Sequence, residues 1–184
     1  MWMMDSMKDT AIDDRRVRRT RLAIFEAFKT LVLSRRYDEF RVADIIEEAD
    51  VGRSTFYDHF TGKDDVLLSS IEPLFEILAD TVTQGVAREN VFFVLSHFWD
   101  QRALSRTVFG ADLFFKLARK LAGMMEARLI DDGTAPQAAR IHATEAAMAQ
   151  LGLIKSWSAG DLSCDVDALA DHFVTHWRDR AAGA

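Results

Sequence analysis

Residues 41–63, RVADIIEEADVGRSTFYDHFTGK, hold two short helical patterns separated by a four-residue gap, and this stretch restricts the fold more than any other. In the first pattern Val42, Ile45, Ile46 and Ala49 recur at helical spacing, so one face is apolar while Asp44, Glu47 and Glu48 point to water. The chain must then turn at Ala-Asp-Val-Gly. Asp50 tolerates a left-handed conformation, Val51 can plug the gap between the helices, and Gly52 is an acceptable N-cap. From Arg53 onward the second helix is expected to bury Phe56 and Phe60 together with Val51. That leaves Arg53, Ser54, Thr55, Tyr57 and His59 turned outward, the residue types that touch base edges and phosphates. The pattern predicts a helix-turn-helix.

The order Val42, Asp44, Ile45, Ala49, Val51, Thr55, Phe56, Tyr57, Phe60, Lys63 resembles the signature of the TetR/AcrR family of ligand-responsive transcriptional repressors, in which the recognition helix ends in Tyr-x-x-Phe followed by Lys. The resemblance covers about 50 residues, 18–68, and no motif continues it further. It implies an all-α dimer. A three-helix, homeodomain-like helix-turn-helix domain (residues 14–63) would follow a flexible arm (1–13) and precede a helical bundle for ligand and dimer contacts (64–184). Three positions depart from the family pattern: Arg41 where a Thr N-cap is common, Asp50 where Gly is common, and Gly52 where Ser is common. The departures weaken capping and leave the apolar pattern intact.

A net charge of −6 looks wrong for a DNA binder until it is divided along the chain. Residues 1–14 carry one Lys and four Asp, residues 15–63 carry 11 Lys or Arg against 8 acids, and residues 64–184 carry 11 against 17. Positive charge therefore gathers on the helix-turn-helix, where it attracts phosphate over about a Debye length, while the acidic remainder limits indiscriminate polyanion binding. With 184 residues, 49% of them hydrophobic, and two prolines, the chain can bury a core in one domain or two small ones. No apolar run reaches the roughly 18 residues of a membrane span, and the acidic, Met-rich N-terminus lacks a signal-peptide core, so the expected location is the cytoplasm. Cys164 is the sole cysteine; it cannot form an internal disulfide and reads as a small buried thiol.

In chain order, residues 14–34 carry Val17, Leu22, Ile24, Phe25, Phe28, Leu31 and Val32 at helical spacing behind the basic cluster Arg15, Arg16, Arg18, Arg19 and Arg21, which is placed to meet the DNA backbone. Tyr37 and Phe40 return to the core. A helix over 64–83 opens on Asp64 and Asp65, favoured at the positive end of its dipole, and carries Pro73, which should kink it. Residues 90–106 and 111–130 read as two helices dense in aromatics and Met. Such a lining suits a small apolar effector, with Phe75, Phe93, His97, Trp99, Gln101, Phe114 and Met125 as pocket candidates, although the same stripe also serves as plain core. Helices over 136–156 and 166–180 follow. The resemblance implies that these last two helices pair with their copies in a second subunit, with His142, Glu145, Met148, Ala149, Gly152, Leu169, Phe173 and Trp177 as interface candidates.

No phosphate-binding glycine loop or nucleophile elbow is present. His172 and His176 have metal-ligand spacing but no motif-linked third ligand, so neither a metal, another cofactor nor an enzyme is expected. The chain reads as a homodimeric, effector-responsive repressor of a palindromic operator in double-stranded DNA. Its candidate DNA contacts are Arg18, Arg41, Ala43, Arg53, Ser54, Thr55, Tyr57, His59 and Lys63. Two alternatives stay open: an architectural or division-associated DNA binder without an effector, and a helical ligand-sensing module whose N-terminal domain meets protein.

Overall fold

The computed structural model describes residues 2–83 and 86–182, with side chains for 15–83, 86–110 and 113–176. All regular structure among the described residues is helical: α1 Trp2–Ser34, α2 Val42–Glu48, α3 Arg53–His59, α4 Lys63–Asp80, α5 Arg88–Asp100, α6 Arg102–Val108, α7 Ala111–Asp131, α8 Pro136–Ala159 and α9 Val166–Ala182. The chain divides into two compact units, residues 1–70 and 71–184.

In the first unit α1 begins well before the expected start at residue 14 and takes in the stretch expected as a free arm; no Gly or Pro there interrupts a helix. Ile24, Ala27, Phe28, Leu31 and Val32 of α1 are buried with Phe40, Ile45, Phe56, Phe60, Val66 and Leu67. Phe28, Tyr37 and Phe40 meet edge to face, with centroids 5.6 to 6.3 Å apart, so the α1–α2 connection is folded back into the core. Arg41 is the N-cap of α2. Its backbone N–H donates to the Asp44 carboxylate at 2.7 Å, half of a capping box that needs no Thr.

That hydrogen bond, followed by the one from Arg35 at 2.9 Å, holds the Asp44 carboxyl below its ordinary range. A depressed carboxylate contributes stability above its unfolded value, near 3.9, and loses it as the pH falls through the lowered one. We therefore expect Asp44→Asn to lower the urea midpoint at neutral pH and to leave it nearly unchanged at about pH 2; a constant difference across the range would refute this role.

The second unit buries α5 (Val91, Val94, Leu95, Phe98), α7 (Leu113, Leu117, Leu121, Met125) and α8 (Ala143, Ala147, Leu151, Ile154) around Phe75 and Leu78. α7 lies along α8, and α9 packs on α5. Ala139, Ala143, Ala146 and Ala147 of α8 face inward, where they let the helices approach closely. Residues 90–106, expected as one helix, form two: Gln101 adopts φ −100° and ψ 26°, ending α5 and opening α6. The break folds α6 back so that Phe109 meets Phe98 at 5.8 Å in the core. α4 runs through Pro73 as an uninterrupted helix. Along its second half Glu72, Glu76 and Asp80 face α7, where Lys120 pairs with Glu72 at 2.5 Å and Arg128 with both Glu76 and Asp80. α8 ends at Gly160, whose φ of 91° needs a residue without a Cβ. No helix among the described residues is long and apolar enough to cross a membrane.

Candidate nucleic-acid interface

The turn between α2 and α3 forms as its residues dictate. Asp50 adopts a φ of 49°, the left-handed conformation that explains why Gly is common there, and Asp is among the few side chains that tolerate it. Gly52 caps α3 at φ −68° and ψ 149°, extended backbone open to any residue. A Cβ there would meet Thr55 Oγ1 at 3.4 Å, an ordinary contact, so a Ser fits as well.

α3 has only seven residues, too short to persist alone, so packing must hold it. Phe56 and Phe60 do this from behind, 0% and 2% exposed with centroids 5.9 Å apart, and Phe60 also packs on Phe25 of α1 at 5.5 Å. The opposite face carries Arg53, Ser54 and Tyr57, all exposed, flanked by half-buried Thr55 and His59. Tyr57 is 48% exposed, a high value for a large aromatic; its ring leans on Phe56, and the Arg53 guanidinium lies 5.7 Å from its centroid. A long cation is thus steadied by a ring braced on the core. Asp58 is the one acid in α3 and is also exposed.

Arg41 and Ala43 at the start of α2 are exposed, as is Arg18 on α1. Arg21, one turn along α1, stacks 4.7 Å from the Phe60 ring, which ties α1 to the C-terminal end of α3. Arg15, Arg16 and Arg19 are also exposed.

Lys63 departs from its expected role as a phosphate anchor. Its ammonium donates to the carbonyls of Tyr37 at 2.6 Å and Phe40 at 3.0 Å, and lies over both rings at 4.4 and 5.0 Å. These contacts satisfy it inside its own unit. Beside it the Tyr37 hydroxyl donates to Asp64, and burial first, then that hydrogen bond and the Asp64 charge, raise the phenol well above its usual range. We expect Lys63→Met to cost about 1.5–3 kcal/mol of stability, the worth of hydrogen bonds to a charged group. Urea unfolding checks this; unchanged stability with a flattened salt dependence of DNA binding would restore the phosphate role.

The other candidate sets disperse. Of the pocket candidates, Phe75 and Met125 are fully buried, Gln101 and Phe114 are half-buried, and Phe93, His97 and Trp99 are exposed, Phe93 at 60%. A single cavity cannot be lined by all of them. Trp99 instead stacks on buried Trp157 at 4.7 Å under Arg102. Of the interface candidates, His142, Glu145, Met148 and Ala149 are exposed along α8 and Gly152 is half-buried, whereas Leu169 and Phe173 belong to the protomer's own core, 4% and 0% exposed on the face of α9 that packs on α5. The Trp177 side chain lies outside the described residues. His172 and His176 stack at 5.0 Å, and among the described residues no group of three or more His, Cys, Asp or Glu is placed to hold a metal. Burial, then the Asp165 charge, raises the Cys164 thiol and makes it a poorer nucleophile.

Residues 24–69 match the family model of bacterial regulatory proteins, tetR family. The HTH-type transcriptional regulator YxbF of Bacillus subtilis is 34% identical over 71 residues, 38% of this chain and 19% of that protein. The HTH-type dhaKLM operon transcriptional activator DhaS of Lactococcus lactis is 28% identical over 85 residues, 46% of each chain. The chain thus matches less than half the length of these two curated relatives. A TetR-family regulator from Streptomyces coelicolor A3 shares the fold with a TM-score of 0.64 at 23% identity, over 89% of this chain and 95% of its own. Residues 24–69, the helix-turn-helix and its flanks, are thus similar to the tetR family of bacterial regulatory proteins, and the all-helical fold is one that a TetR-family regulator shares.

Proposed function

We propose that the protein is a homodimeric, effector-responsive repressor that acts in the cytoplasm on a palindromic operator. The observation that carries this reading is the division of α3: Phe56 and Phe60 fix one side in the core, while Arg53, Ser54 and Tyr57 are exposed on the other. Arg53, Ser54 and Thr55 read base edges. Tyr57, His59, Arg41 and Arg18 touch the backbone, and Ala43 lies close to it. In a dimer two such helices must reach successive major grooves about 34 Å apart. An effector acts by preferring an arrangement with another spacing, and its influence is limited by that preference.

The dimer face assigned here is the outward row of α8, His142, Glu145, Met148, Ala149 and Gly152, extended by Ile141. Along this row Ile141 is 60% exposed and Met148 36%, apolar surface that a second copy would cover. Repression is proposed on the simplest ground, occupancy of the operator; one relative is named an operon activator, and a promoter reporter decides the sign.

The test is affinity for a random-sequence duplex between about 50 and 200 mM salt. A steep fall is expected, since each phosphate neutralised adds about −0.9 to the slope of log K on log salt. Absent or salt-insensitive binding would favour the reading in which the N-terminal domain meets protein.

A further inference from the structure

Gln150 is fully buried on α8, and half of its amide is accounted for. Its Nε2 donates to Thr81 Oγ1 at 2.6 Å, and the Thr81 hydroxyl donates to the Leu78 carbonyl at 2.7 Å. With its one proton committed to Leu78, Thr81 can only accept from the amide, so the nitrogen must face it and Oε1 must point away. Among the described residues Oε1 has no hydrogen-bond donor, and Leu78, Val82, Ala147 and Leu151, close in the chain to Thr81 and Gln150, are all buried. A buried acceptor left bare is costly, and native proteins keep few of them without a guest.

We propose that Gln150 Oε1 is the polar anchor of the effector, and that the effector is an uncharged, mainly apolar molecule carrying one hydroxyl or N–H donor. This rests on the effector-responsive reading above. The class follows from the chemistry of the spot. An acceptor calls for a donor. A lone neutral acceptor cannot compensate a buried ammonium, which excludes cations, and anions would meet the oxygen's negative end. Apolar neighbours select the body of the ligand.

The probes are n-octanol and n-heptyl methyl ether, equal in heavy atoms and differing in the donor, titrated into the full-length protein by calorimetry with operator release followed in parallel. Wild type should bind the alcohol about tenfold more tightly, one well-made hydrogen bond replacing an orphan. Gln150→Leu removes the orphan at similar volume, so it should fold at least as stably and bind both probes equally. Ser158→Ala removes the other unpartnered buried polar side-chain atom among the described residues and should keep the preference. Equal affinities in wild type, no binding of either probe, or a preference that survives Gln150→Leu would each overturn the anchor; the last would leave Oε1 to a structural water. A preference lost in Ser158→Ala would overturn the assignment to Gln150. Equal binding of both probes with operator release would leave effector control standing without the anchor, whereas preferential binding without release would leave the anchor and remove effector control.

Discussion

Phe56→Ala should unfold the helix-turn-helix at concentrations of urea that wild type withstands, at a cost of about 3–5 kcal/mol, the range for truncating a buried phenylalanine. Phe56 is 0% exposed and touches both Phe60 and Tyr57, so its loss opens a cavity behind α3 and removes the surface that Tyr57 leans on. A seven-residue helix has little stability of its own to set against that. DNA binding should vanish with the fold, while the second unit, whose core includes no residue of α3, should keep its helices. Urea unfolding followed by far-UV circular dichroism should show the two units separating. A cost below about 1 kcal/mol would mean that α3 is not held from behind, since even Ile→Val in a core costs about that much.

The second large effect concerns recognition with the fold intact. Arg53→Ala, tested on a duplex selected by the wild-type protein, should weaken binding by about 1–3 kcal/mol and relax the base preference at one position of each half-site. Tyr57→Phe keeps the ring under the Arg53 guanidinium and removes only the hydroxyl, so it should weaken binding to every sequence alike and leave the preference unchanged. The contrast between the two is the informative quantity. Equal loss of affinity and equal relaxation in both variants would show that base reading and phosphate contact have been assigned to the wrong side chains.

The helix-turn-helix was legible because local rules suffice there: the apolar spacing of Val42, Ile45 and Ile46, the left-handed tolerance of Asp50 and the Phe56–Phe60 pair each specify their own neighbourhood. Lys63 misled because its position in the family motif says nothing of where a flexible ammonium turns; the carbonyls of Tyr37 and Phe40 that receive it lie 26 and 23 residues away. In the second unit aromatic density did not distinguish core from surface. Phe92 and Phe93 are adjacent, yet one is half-buried and the other exposed, and the side that faces in is set by the helices α5 packs on, α8 and α9, which come far later in the chain. Leu169 and Phe173 form an apolar stripe whose cover is α5 within the same protomer. The spacing of Glu72, Glu76 and Asp80 at every fourth position was a readable sign of a charged row awaiting partners; Lys120 and Arg128 supply them from 48 residues downstream. Gln150 carried no such sign, because a single polar residue among alanines declares neither its burial nor its missing donor.

Selection of bound duplexes from a random pool by the full-length protein tests most directly whether the exposed face of α3 reads DNA in pairs. Enrichment of an inverted repeat with half-site centres about one helical turn apart or a multiple of it is expected, with the enrichment erased at one position per half-site by Arg53→Ala. A pool that stays random, or that converges on the same palindrome with Arg53→Ala as with wild type, would show that this face is not the reading surface.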